Sequence, residues 1–192
     1  YLLGIFVVVS FYEIIVTFLD FQFKTLAKGS YAGDALTGYL FKYAVWTNVV
    51  AFVCVLLGAG KIGSKLGLAK TLLLLPVLVG VAVITLNLHP LLNVAFMIMV
   101  FSKGVNYALN QPAKEQLYIP TTKDSKYRSK AWIDAFGSRF SKGLGSVVND
   151  SKSALGADVF MLVVLVTSFG LLGIWVFAAV FLGKTHAKAI KE

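Results

Sequence analysis

Between Lys103 and Lys114 the chain reads Lys-Gly-Val-Asn-Tyr-Ala-Leu-Asn-Gln-Pro-Ala-Lys, with polar residues every three to four positions. On a helix that spacing lines Lys103, Asn106 or Tyr107, Asn110 and Lys114 along one face. A stripe with an ammonium group toward each end suits an elongated anion, because lysine holds phosphate oxygens as a point charge. Tyr107 has two readings, a ring that stacks on a flat ligand or a core side chain. Pro112 frees backbone groups nearby, which apolar surroundings tolerate only where those groups line a cavity.

Other charges stand in equally apolar sequence. Asp20 and Lys24 are four apart on one helical face and are expected to pair. They form either a switchable pair at a cavity edge or a self-neutralising pair near a membrane boundary, with Lys24 reaching outward. Glu13 lies deeper and has no local partner. It either bridges to another helix or meets a proton or substrate. Lys130, Asp134, Ser138 and Ser141 share roughly one face of a later segment, with Arg139 and Lys142 elsewhere around it. Arg139 either grips phosphate through its planar fork or pairs with a carboxylate outside this chain. No catalytic constellation appears. His89 and His186 fall at helix ends without metal-ligand spacing, Cys54 is alone, and no phosphate-cradling glycine loop is present. The expectation is no enzyme, no metal and no cofactor.

The elements that position these residues are membrane spans. The chain is 58% hydrophobic and 14% charged, with a mean hydropathy of +0.80. A soluble fold of 192 residues cannot bury that much apolar surface. Several runs reach the roughly 20 residues that cross a bilayer. Spans are expected at about Leu2 to Leu26, Leu36 to Ala59, Leu68 to Leu88 (with Pro76 as a kink), Leu91 to about Pro112 or a little beyond, and Val159 to Leu182. A further segment, Arg128 to Asn149, is too polar for lipid. It reads as a cavity-lining helix, the alternative being an amphipathic helix on the membrane surface. Gly137, Ser141 and Gly145 recur along it every fourth residue, which suits close packing on a neighbour.

Six spans put both chain ends on one side. That side holds Lys61, Lys65, Lys70, Lys123, Lys126, Arg128, Lys130, Lys184, Lys188 and Lys191, against mainly Lys28, Lys42 and Lys152 on the other. The bias places both ends in the cytoplasm. It also accounts for the net charge of +9 without nucleic acid as a partner. The first apolar run has no basic lead and no small-residue cleavage site, so it does not read as a signal peptide. A chain opening on Tyr1 reads as a piece of something longer.

Two resemblances follow. The Gly-and-Lys turn Gly60 to Gly67 is similar to the loop signature of the major facilitator superfamily, without its acidic residue. The run Lys103 to Pro120 resembles the signature of the ATP/ADP translocases of obligate intracellular bacteria and plastids, above all in the core Pro112-x-Lys114-Glu115-x-x-Tyr118-Ile119-Pro120. Lys130 to Arg139 resembles that family's next block, and Asp20-Phe-Gln-Phe-Lys24 resembles its Glu-x-x-x-Lys element. Two positions depart from the pattern: Asn110-Gln111 replaces Phe-Asp, and Asp20 replaces Glu.

The resemblance spans nearly the whole chain. It implies an all-α membrane protein in which residues 1–192 form one transmembrane domain, the carboxy-terminal six-helix half of a major-facilitator-type transporter. It further implies exchange of ATP and ADP by alternating access, an amino-terminal half as partner, and residence in a bacterial inner membrane or plastid envelope. Asp20, Lys24 and Lys114 match charged residues implicated in transport, and Glu115 the motif acid. The expected site is Lys103, Asn106, Tyr107, Asn110, Lys114 and Arg139 for substrate, with Asp20, Lys24, Glu115 and Asp134 as gating or charge pairs. The alternatives are a carrier-like membrane subunit that anchors a larger assembly, or a facilitator-type carrier of another anion.

Overall fold

A computed structural model describes residues 1–56, 67–121 and 123–189. The basic loop from Gly60 as far as residue 66, with Lys61 and Lys65, lies outside the described residues, as does Lys191. Among the described residues all regular structure is helical. Helix α1 spans Leu2–Ser30, α2 Gly33–Leu56, α3 Leu68–Leu88 and α4 Leu92–Leu117. Helix α5 covers residues 123–150, α6 is the short Lys152–Leu155, and α7 spans Ala157–Ala189. Five of these, α1 to α4 and α7, are long and apolar enough to cross a membrane. A helix satisfies its own backbone polar groups, which is what an apolar run needs where water is absent. The chain is an integral membrane protein.

Several segment boundaries expected from hydropathy move: α2 begins at Gly33, α5 at Lys123 rather than about Arg128, and α7 runs to Ala189 rather than Leu182. Helix α1 continues through Lys28 to Ser30, leaving a turn of residues 31–32 where a longer one was expected. Helix α4 runs a little beyond Pro112, as expected, and ends at Leu117. Pro76 sits inside α3 and is buried.

Helix α1 is the centre of the bundle, with Ile5, Ile15, Phe18, Leu19 and Phe23 all but sealed. Helix α7 packs on it in the opposite direction. Leu182 lies against Gly4, Trp175 meets Tyr12 edge-on at 6.0 Å, and Phe160 joins Phe18. Helix α4 is also antiparallel to α1, with Phe96 beside Phe23 and Lys103 beside Asp20.

Helix α5 runs in the same direction as α1. Trp132 lies 6.0 Å from Phe6, Ser138 reaches Glu13, and Asn149 donates a hydrogen bond to the Thr17 carbonyl. The approach is close because of glycine. A Cβ at Gly137 would stand 2.9 Å from Phe6, and one at Gly145 3.0 Å from Thr17. Ser141, between them, is buried. The two helices stay together from Trp132 to Asn149, about 25 Å at 1.5 Å per residue. Around α5 the remaining surface divides in two. Phe140, Leu144 and Val147 are exposed on one side. Ser138, Lys142 and Ser146 follow one another at four-residue spacing on the other.

Candidate functional site

That polar side of α5 faces a cavity of about 490 Å³ enclosed with α1 and α4. Each helix contributes charge or hydrogen-bonding groups: α1 gives Glu13 and Asp20, α4 gives Lys103, Asn106, Tyr107 and Gln111, and α5 gives Lys142 and Ser146. Its wall thus carries two ammonium groups and two carboxylates.

The charges are paired unequally. Lys103 Nζ is 3.4 Å from Asp20 Oδ1, while Lys24 Nζ sits 2.6 Å from Asp20 Oδ2. Asp20 therefore bridges two lysines, one from its own helix and one from α4. Lys103 also lies over the Tyr43 ring, 5.3 Å from its centroid. Across the cavity Lys142 Nζ is 3.4 Å from Glu13 Oε2, and the Ser138 hydroxyl donates to Glu13 Oε1 at 3.3 Å. Glu13 therefore bridges helices. The two long pairs are loose contacts at the wall of a water-accessible space, where attraction between charges is modest.

The α4 stripe does not run as an unbroken α-helix would carry it. Residues Asn106–Asn110 form a π turn, closed by the Gln111 N–H bonding to the Asn106 carbonyl. The turn sits directly before Pro112, whose ring would clash with the carbonyl four residues back in a regular α-helix. A π turn holds an extra residue, so positions beyond it are set back around the axis. The cavity stripe consequently continues at Gln111. Asn110 turns inward and donates to Asn106 Oδ1 at 2.8 Å, and Lys114 is buried away from the cavity.

Lys114 belongs to a second cluster, at the membrane end where α4 stops and α5 begins. Its Nζ lies 2.9 Å from Asp134 Oδ1, and Lys130 Nζ lies 2.6 Å from Glu115 Oε1. Asp134 is itself within a second π turn, Ile133–Gly137. The chain's two ends join this cluster. The Tyr1 hydroxyl donates to the Leu117 carbonyl at 2.6 Å, and the His186 Nε2–H to the Gln116 carbonyl at 3.1 Å. Tyr118 is fully buried there. Residues 112–118 therefore fasten α1, α4, α5 and α7 together at one end of the bundle.

Of the expected site residues, the fold brings Lys103, Asn106, Tyr107 and Asp20 to the cavity. Tyr107 is half exposed there, so it is not a core residue. Lys24 stands behind Asp20. Asn110, Lys114, Glu115 and Asp134 are not in the wall, and Arg139 is exposed without an ion pair among the described residues. Glu13, weighed in the sequence as a helix bridge or a proton or substrate contact, lines the wall too, with Lys142 and with Ser146 and Gln111, which the sequence did not single out. The four-residue spacing of Ser138, Lys142 and Ser146 was a usable signal, whereas Gln111 reaches the cavity only because of the π turn. Among the described residues no group of His, Cys, Asp and Glu could hold a metal.

A profile of the TLC ATP/ADP transporters matches residues 1–186. The chain belongs to that family. Its members are transporters, not enzymes. The chain is 24% identical over its whole length to ADP,ATP carrier protein 1 of Chlamydia muridarum and 26% identical to the protein of that name from Chlamydia trachomatis. It covers 41% of the length of each. A Rickettsia bellii ADP,ATP carrier protein 1 is 29% identical over 45% of this chain, covering 18% of that protein. No solved structure matches. In this chain residues 112–118 fasten helices together, and the cavity lies next to them on the same helix.

Proposed function

We propose that the chain is the carboxy-terminal, cargo-binding half of a carrier that exchanges anionic nucleotides of the ATP/ADP type by alternating access. The observation that carries this reading is the cavity, in which two lysines from different helices are held by loose, exchangeable carboxylates. A phosphate chain that takes Lys103 leaves Asp20 still compensated by Lys24. One that takes Lys142 leaves Glu13 its Ser138 hydroxyl. Binding can thus displace internal partners without stranding a bare carboxylate in the membrane, which would otherwise be expensive. Asn106, Tyr107 and Gln111 continue the wall along α4 with the amide and aromatic groups that a nucleoside needs.

In this reading α5 is the sixth span. It follows α1 across its length, so it shares the crossing, and its polar side is accommodated by the cavity. Residues 1–192 then act as one transmembrane domain of major-facilitator type, both ends on the cytoplasmic side of a bacterial inner membrane or plastid envelope. An amino-terminal half supplies the other cavity wall. Lys114–Asp134 and Glu115–Lys130 are the gating pairs, holding α4 to α5 at the cytoplasmic end.

Uptake of labelled ATP into vesicles containing the full-length protein tests the proposal. Uptake that needs ADP inside the vesicles, and is lost in Lys103→Ala, is the expected result. Well-folded protein that moves no nucleotide would overturn it.

A further inference from the structure

The opposite end of the bundle carries a second pair of features, on the back of α1 and away from the cargo cavity. A small pocket of about 90 Å³ lies between α1, the turn after α3 and the start of α7. Gln22, Thr25 and Lys152 bring its polar groups. Gln22 is 9% exposed, and its Nε2 donor has no hydrogen-bond partner among the described residues. Lys152 holds its ammonium over the Phe21 and Phe160 rings, at 5.6 and 5.9 Å, and pairs with no carboxylate among the described residues.

Met161 is shared between this pocket and a larger one of about 520 Å³, an apolar groove on the outer surface between α3 and α7. The groove begins at Asp158, which is exposed and without an ion pair among the described residues, and ends at Phe169. At 1.5 Å per residue it is about 16 Å long, close to one leaflet of a ~30 Å hydrocarbon core. It starts at the membrane boundary, where α7 starts, and runs inward along the helix. A cation and a carboxylate therefore stand at the boundary, above a leaflet-deep apolar channel.

We propose that this is a binding site for a zwitterionic phospholipid with a primary amine, a phosphatidylethanolamine. Its phosphate meets Lys152, its ammonium meets Asp158, and one acyl chain lies in the groove beside Leu162 and Leu165. The charges select the occupant. An anionic lipid such as phosphatidylglycerol satisfies Lys152 and leaves Asp158 facing it with nothing to pair.

Native mass spectrometry of the full-length protein in detergent, titrated with phosphatidylethanolamine or phosphatidylglycerol, tests the site. The wild type should retain phosphatidylethanolamine about tenfold better than phosphatidylglycerol, the ratio expected for one charge-assisted contact. Asp158→Asn should abolish that preference, Lys152→Ala should weaken both lipids, and Leu162→Trp, which fills the groove, should weaken both while leaving the headgroup contacts intact. Melting temperatures near the wild type's show that the variants are folded. Equal retention of the two lipids by the wild type would overturn the proposal. So would retention unchanged in Lys152→Ala, or displacement of the lipid by soluble glycerophosphoethanolamine at equal concentration, which would make the headgroup alone the ligand.

Discussion

Removing one member of the Lys114–Asp134 pair should have opposite consequences depending on which member goes. The Lys114 side chain is 11% exposed and that of Asp134 37%. Substituting Asp134 by alanine leaves an ammonium group buried with no counter-charge. A broken buried pair is destabilising by about 3–5 kcal/mol, and the lower end applies here because the site lies at a membrane end with one partner partly wet. Substituting Lys114 by methionine keeps most of the packing and leaves a carboxylate that can turn to solvent, so about 1 kcal/mol is expected. For a cooperative unit the size of this chain, each kcal/mol moves a melting midpoint by roughly 2–4 °C. Asp134→Ala should therefore melt about 6–12 °C below the wild type in detergent, and Lys114→Met about 2–4 °C below. The double variant Lys114→Met/Asp134→Ala should recover most of the difference, because no charge is left stranded. Fluorescence-monitored melting of the full-length protein measures all three. Equal losses in the two single variants, or a double variant no better than Asp134→Ala, would refute the argument that the burial of Lys114 decides the energetics.

Three further outcomes follow from the geometry. Lys24→Ala leaves Lys103 as the sole cation for Asp20 and should raise the nucleotide concentration for half-maximal uptake several-fold, roughly the effect of 1 kcal/mol, with the maximal rate less affected. Gly145→Leu drives a branched side chain into Thr17 and the Ile14 carbonyl and should destabilise the chain by about 1–3 kcal/mol or more, seen as a lower melting midpoint. Pro112→Ala removes the reason for the π turn. With cysteine at 111 it should lose labelling by a polar thiol reagent from the cavity, while cysteine at 111 beside an intact Pro112 should label.

Much of the architecture was legible before any coordinates, because apolar runs of sufficient length have one stable form in a bilayer. The polar stripe from Lys103 to Tyr107 was legible too, since its spacing is that of a regular helix. What followed Tyr107 was not. Pro112 advertised a disturbance, yet whether a proline produces a kink, a break or an extra residue depends on how neighbouring carbonyls are accommodated. The choice of a π turn moved Gln111 into the cavity and Lys114 out of it. Glu13 looked partnerless for a different reason. Its partners, Ser138 and Lys142, are more than a hundred residues away and become neighbours only when Gly137 and Gly145 bring α5 onto α1. The glycine spacing predicted a close helix contact but could not say with which helix.

The distance along the chain between Glu13 and those partners has a consequence for biosynthesis. Asp20 meets Lys24 within a single helical turn, so that carboxylate can enter the membrane already neutralised. Glu13 cannot, because Ser138 lies 125 residues downstream. At about 5–20 residues per second, the ribosome takes roughly 6–25 s to supply it. Through that interval α1 must stay inserted on the strength of its apolar side chains, with an acidic group near its middle and neither Ser138 nor Lys142 yet made. A carboxylate near a helix centre opposes insertion by about 3 kcal/mol, and each leucine, isoleucine, valine or phenylalanine favours it by about 0.3–0.6 kcal/mol. The unusually apolar stretch Leu2 to Val9 is thus needed during synthesis, before the fold that satisfies Glu13 exists.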